Sequence, residues 1–259
     1  MGAYFIRRNS RGALYRKVLA RYVQMATRAG VTQAVFPEGG LSLDGMLAAP
    51  RTGLLNYIIE DFDPARREVI FIPVALNYDR VLEDTILIAA HKAGTRRFRP
   101  PLVHVLRRVA HHVWQRITGR FQGFGTASVS FGEPLELSSF TVTAQGDVTQ
   151  ALAQTLMQRI ADVTPVPGVP LVARHLLADA PVTTEQLMHD VVGSLAMLAQ
   201  RQVPRPRRAT EDVVTEALDR LHSRRLIARD GDHWRVTKLG GPILTYYANS
   251  IAHHFDITV

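Results

Sequence analysis

The residues whose types and spacing suit chemistry fall in three short stretches of the first eighty-one: FIRR, Phe5 to Arg8; FPEGG, Phe36 to Gly40; and IPVALNYDRV, Ile72 to Val81. An apolar strand that ends in an acidic residue and two glycines sets a carboxylate and main-chain N–H groups at one lip of a sheet, where open α/β folds bind ligands. Glycine there lets a phosphate approach the main chain. Taken alone, EGG reads more simply as a tight turn. Arg7 and Arg8 stand at the far end of an apolar run and carry planar forks suited to bidentate contact with phosphate. General-base chemistry is harder to find. Of the ten histidines, His175 has Asp179 four positions on, while His111, His112, His253 and His254 have nothing suitable, so each reads as a surface or satisfied core histidine.

These stretches need elements to hold them. Tyr4 to Ile6 read as the end of a strand, and Tyr15 to Ala29 carry helical spacing stopped by Gly30. Ala34 to Phe36 read as a short strand, Leu54 to Glu60 as a helix, and Glu68 to Leu76 as an almost wholly apolar strand buried on both faces. That order predicts parallel crossover units, with Ala127 to Phe131 as one more strand. Gln145 to Val169 predict a helix and then the proline-broken linker TPVPGVP. Residues 1–145 are thus expected to form a sheet-and-helix core and residues 146–259 a smaller, mainly helical C-terminal domain. In the latter, helices over Thr184 to Leu198 and Thr210 to Leu221, each opened by a threonine with an acidic residue close behind, precede LIARDGDHWRV, two short strands around an Asp-Gly turn. Helix, helix and hairpin is the order of a winged-helix module.

Composition bounds the rest. A chain of 259 residues with 46% hydrophobic content can bury a sizeable core. It has no cysteine, which excludes disulfides, thiolate nucleophiles and cysteine-held metals and fits a reducing compartment. No uncharged apolar stretch nears the ~20 residues that span a bilayer, so membrane association is expected at the surface. The net charge is +8, and only Lys17, Lys92 and Lys238 are lysines; the other 28 basic residues are arginines. Codon usage explains that excess as readily as function does.

Taken in order, GAYFIRR (Gly2 to Arg8), FPEGG and IPVALNYDRV resemble the second, third and fourth conserved blocks of the glycerol-3-phosphate acyltransferase family. PRTGLLNYI, Pro50 to Ile58, resembles the segment after the third block, and the similarity extends through FGEPLEL, Phe131 to Leu137, to YYANSIAHHF, Tyr246 to Phe255. The resemblance implies an α/β, glycerolipid acyltransferase-like core. It implies transfer of a fatty acyl group from acyl-CoA or acyl carrier protein to the 1-hydroxyl of glycerol 3-phosphate, giving lysophosphatidic acid in phospholipid biosynthesis. Arg7 and Arg8 would hold the phosphate, Glu38, Gly39 and Gly40 would orient the glycerol, and Pro73 with its apolar neighbours would wall the acyl donor. No metal or redox cofactor is implied.

Two departures from the family pattern stand out. Where many relatives carry two arginines flanking a serine after EGG, this chain has Leu41-Ser42-Leu43, which leaves Ser42 without its cationic neighbours. Arg51 is placed to compensate; a solvated surface arginine is the competing reading. The family's base is a His with an Asp five positions on, upstream of the second block, and no histidine here has Asp at that offset. The chain is therefore expected to begin inside a core that lacks its N-terminal portion, and to be inactive or nearly so by itself. Dihydroxyacetone phosphate is an alternative acceptor.

Arg96 to Arg120 contain a basic amphipathic helix with Leu102, Val105, Leu106, Val109, Val113 and Ile117 on one face, suited either to an anionic membrane surface or to packing on the sheet. A peripheral position on the cytoplasmic face of the cell membrane is expected. The rival reading is a nucleic-acid-binding winged helix over Arg205 to Val236. Glu211, Asp212, Glu216 and Asp219 on its candidate helix and Asp230 and Asp232 in the wing would repel phosphate, so no nucleic-acid partner is expected.

Overall fold

The computed structural model describes residues 12–94, 114, 117–118, 123, 125–179 and 181–255. The expected strand at Tyr4 to Ile6, with Arg7 and Arg8, and most of the expected helix over 102–117 lie outside them. The chain is mixed α/β, with small sheets, and divides into two compact units interleaved along the sequence. Residues 1–40, 49–73 and 132–159 make the first, and residues 41–48, 74–131 and 160–259 the second.

In the first unit, helix α1 (Ala13–Arg28) packs on α2 (Gly53–Glu60). Gly30 ends α1 at φ +70°, with its N–H donating to the Thr27 carbonyl and the Val31 N–H to that of Ala26. This paired pattern satisfies carbonyls that the helix end would strand. Strand β1 (Ile70–Phe71) pairs antiparallel with a later strand, Leu135–Glu136. The core is formed by Val23, Leu55, Ile58, Leu135, Leu137, Leu152, Ala153 and Leu156, the last three from the helix Val148–Asp162.

The second unit begins with β2 (Val74–Tyr78) and α3 (Asp84–Lys92), followed by β3 (Ala127–Phe131), which pairs antiparallel with β2. Every strand pair among the described residues is antiparallel, so the crossover expectation gives way to ribbons. The expected long strand over Glu68 to Leu76 is interrupted at Ile72-Pro73, since proline has no N–H to give a ladder. Only one face of β2 is buried, by Ala75 and Asn77; Val74 and Leu76, opposite Phe131 and Val129, face outward. An antiparallel ribbon needs cover on one face only. Ala34 to Phe36 form no strand.

With Leu135–Glu136 as β4, the chain continues through α4 (Leu137–Thr143) and α5 (Val148–Asp162). The second unit then resumes with α6 (Gly168–Asp179), β5 (Val182–Thr183), α7 (Thr184–Gln200), α8 (Thr210–Ser223), β6 (Ile227–Asp230), β7 (His233–Val236) and α9 (Gly240–Asn249). The sheet order β5-β7-β6 and the helices before it reproduce the winged-helix order. Gly231, at φ +60°, is the first of two hairpin residues, where a type II′ turn wants glycine.

Two local readings are corrected here. The cap of α7 is Thr183, in a reciprocal capping box with Gln186, and the cap position of α8 is Ala209, which supplies no side-chain hydrogen bond. The proline stretch Thr164 to Pro167 is buried and no free linker. Pro165 and Pro167 have no N–H to satisfy, while the Val166 N–H donates to the Pro204 carbonyl. Leu171, Val172, Ala173 and Leu176 then centre α6 in a core shared with α7, α8 and α9.

Candidate functional site

The FPEGG stretch folds into a turn. The Gly39 N–H donates to the Phe36 carbonyl at 2.9 Å and Gly39 sits at φ +68°, a conformation that side chains resist. Gly39 and Gly40 are exposed, and Glu38 is half-buried. Of the two glycine amides expected to face a ligand, that of Gly39 is committed to closing the turn.

Arg51 comes back onto this turn. Its N–H donates to the Pro37 carbonyl at 2.8 Å, and its Cδ lies 2.6 Å from where a Gly39 β-carbon would stand. The structure thereby brings Gly39 and Arg51 together, twelve positions apart in sequence. Pro73 is buried, and its carbonyl accepts from the Gly132 N–H at 2.8 Å. Ser42 belongs to the second unit and is occupied locally: its hydroxyl reaches the Met46 carbonyl at 2.9 Å and Asp44 at 3.1 Å, and accepts from the Gly45 N–H at 2.9 Å. A hydroxyl with those partners has little capacity left for a ligand. Arg7 and Arg8 lie outside the described residues.

The fourth stretch holds polar groups with a structural duty. Asp79 is buried, and its two carboxylate oxygens accept from the N–H groups of Val169 at 2.9 Å and Thr126 at 2.8 Å. It thus supplies, from far away in sequence, the acceptor that the first turn of α6 lacks. Asn77 donates to the Pro165 carbonyl at 3.0 Å and to Ser250 at 3.1 Å. Sequence reading missed both roles, although two polar residues at the end of an apolar run signalled them.

A shallow, open cleft in the second unit is lined by Asp79, Arg80, Val169, Arg220 and Arg224, among others. It contains none of the expected site residues. Its cations are engaged: Arg220 reaches Glu216 at 3.2 Å, and Arg224 reaches Asp84 at 2.5 Å. Glu216 is held below the usual carboxylate range, first by Arg208 and also by Arg220.

Behind the cleft, Asp84 is 2% exposed and accepts from Arg224 and, at 2.8 Å, from the Tyr247 hydroxyl. Burial opposes the Arg224 charge, but the Asp84 carboxylate outweighs it and keeps the guanidinium protonated. Burial first, then Asp84, pushes the Tyr247 phenol well above its ordinary value. His254 is buried, its Nε2 2.8 Å from the Thr164 carbonyl, and burial lowers its pKa. His253 Nε2 meets the Ala161 carbonyl at 3.1 Å and His175 Nε2 meets Ser194 at 3.0 Å. Among the described residues no group of three or more His, Asp or Glu could hold a metal, and no helix is long and apolar enough to cross a membrane.

Comparison with known proteins bears on this arrangement. Residues 99–257 match the family described as "Glycerol-3-phosphate acyltransferase C-terminal region". Over 99% of its length the chain is similar to the glycerol-3-phosphate acyltransferases of Pseudomonas paraeruginosa and Pseudomonas aeruginosa, at 28% identity, and of Pseudomonas putida, at 27%. It spans about a third of the length of these curated relatives, 33% in each case.

Proposed function

The chain belongs to the glycerol-3-phosphate acyltransferase family, and from that premise we propose that it forms the acceptor-binding part of an enzyme acylating the 1-hydroxyl of glycerol 3-phosphate. The products would be lysophosphatidic acid and the free acyl carrier, coenzyme A or acyl carrier protein. The observation that carries the reading is the clamp between Arg51 and the FPEGG turn, which lays the Arg51 side chain along the exposed Gly39 backbone, next in sequence to Glu38. Such a group offers a phosphate a fixed cation and offers glycerol hydroxyls an acceptor. Arg7 and Arg8 would add the further cations that a dianion needs, and Pro73 would wall the acyl donor.

The general base is missing from this set. No histidine of the chain has an aspartate five positions on, so the 259-residue chain is expected to bind the acceptor without turning it over. A peripheral position at the cytoplasmic face of the cell membrane fits an amphiphilic product.

Calorimetric titration of the purified chain with glycerol 3-phosphate, beside an acylation assay with acyl-CoA and with acyl carrier protein, tests both halves. Binding that weakens at least about tenfold in Arg51→Ala, with no lysophosphatidic acid formed, is the expected result. Robust turnover would defeat the claim of inactivity, and absence of any binding would defeat the acceptor site. Dihydroxyacetone phosphate in the same titration decides between the two acceptors.

A further inference from the structure

Directly after the FPEGG turn the chain leaves the first unit for eight residues. Leu41 to Ala48 belong to the second unit, and the chain is back in the first at Ala49, two residues before Arg51. The bond from the Arg51 N–H to the Pro37 carbonyl, at 2.8 Å, closes the base of this excursion. The segment is thus a loop with its two ends tied together.

The tip of the loop is shaped to fit one place on α9. Within it, the Gly45 N–H donates to the Ser42 hydroxyl at 2.9 Å and the Met46 N–H to an Asp44 carboxylate oxygen at 3.0 Å, which fixes its form. Leu43 packs on the core of the second unit. The Asn249 side-chain amide donates to the Asp44 carbonyl at 2.8 Å. Gly45, at φ +91°, lies so near α9 that a β-carbon there would stand 1.9 Å from the Tyr246 carbonyl oxygen and 3.2 Å from the Asn249 β-carbon. Glycine is required twice over, by its dihedral and by a neighbouring main chain that cannot yield.

We infer that Asn249 is a positioning residue for acceptor binding: it pins the Asp44–Gly45 tip to α9 and so restricts the loop whose two ends carry the FPEGG turn and Arg51. The inference rests on the acceptor site proposed above. A turn and an arginine already held in place lose less freedom when a ligand arrives, and the saving appears as affinity. Asn249 needs no contact with substrate to do this, because its amide acts on the main chain of the loop.

Glycerol 3-phosphate is titrated calorimetrically into the full 259-residue chain and its variants. Asn249→Asp, which keeps the shape but loses the donor, and Gly45→Ala, which forces the tip off α9, should each weaken binding about fivefold, and Asn249→Gln, which keeps the amide, should recover most of it. Two glycines inserted between Gly40 and Leu41 slacken the connection; in that background Asn249→Asp should cost no further affinity. Hydrogen exchange at the Arg51 amide should accelerate in Asn249→Asp while the centre of α6 exchanges as before. A parent chain that binds nothing would overturn the acceptor site and this inference with it. Binding by the parent that is unchanged in Asn249→Asp and Gly45→Ala would overturn this inference alone. So would an equal loss with and without the inserted glycines, or faster exchange throughout α6, since Asn249 would then serve only the stability of its unit.

Discussion

Arg51 occupies the space that a β-carbon on Gly39 would need, its Cδ standing 2.6 Å from that point while its main chain bonds Pro37. Gly39→Ala therefore meets two obstacles, a left-handed φ and a displaced side chain. Denaturant unfolding should show a loss of about 1–3 kcal/mol. In an Arg51→Ala background the same change should cost less, because only the backbone strain remains; equal costs would place the Arg51 side chain elsewhere.

Asp84→Asn should be among the most damaging single changes in the second unit. It removes the charge from a carboxylate that is 2% exposed and leaves Arg224 without its counter-ion. Breaking one partner of a buried pair costs about 3–5 kcal/mol. Stability within about 1 kcal/mol of the parent would contradict the geometry.

Tyr247 donates to Asp84, so ionising it would put a second negative charge beside the first. Ultraviolet titration of the native chain should find Tyr247 silent through the ordinary phenol range. Tyr247→Phe should remove only that silent group, and a full complement of titrating tyrosines in the parent chain would rule this out.

His254 gives stability an acid limb. Its folded pKa lies below the unfolded value, so between those values the unfolded chain binds more protons and stability falls as pH falls. Above about 6.5, where neither state is protonated, the residue adds no slope. Below that, one proton contributes at most about 1.4 kcal/mol per pH unit. Denaturation midpoints measured from pH 7.5 to 5 should decline, and His254→Gln, which keeps a donor for Thr164, should flatten the decline.

Asp79→Ala should unseat the start of α6. The buried Val169 N–H would lose its acceptor, at about 1–3 kcal/mol, and the Thr126 N–H, at an exposed residue, would turn to water. Hydrogen exchange at those two amides should accelerate more than exchange at the centre of α6. Uniform acceleration would mean that Asp79 acts on the whole unit instead.

Local physics was readable from residue order. The helices α1, α2, α7 and α8 and the β6–β7 hairpin follow from apolar spacing, a stopping Gly30 and a glycine where the turn needs one, because those signals act within a few residues. FPEGG was legible as a turn and as a family block for the same reason. What sequence spacing could not express is pairing across distance. It predicted a continuous strand through Pro73 and parallel crossovers, whereas the chain breaks there and pairs antiparallel, since which strand lies beside which is decided by the whole core. Only the tertiary structure returned Arg51 to the Gly39 turn, sent Asp79 to cap α6 ninety residues away, and closed Asp84 between Arg224 and Tyr247. Buried polar groups must find partners wherever the fold puts them, and no local pattern records that address.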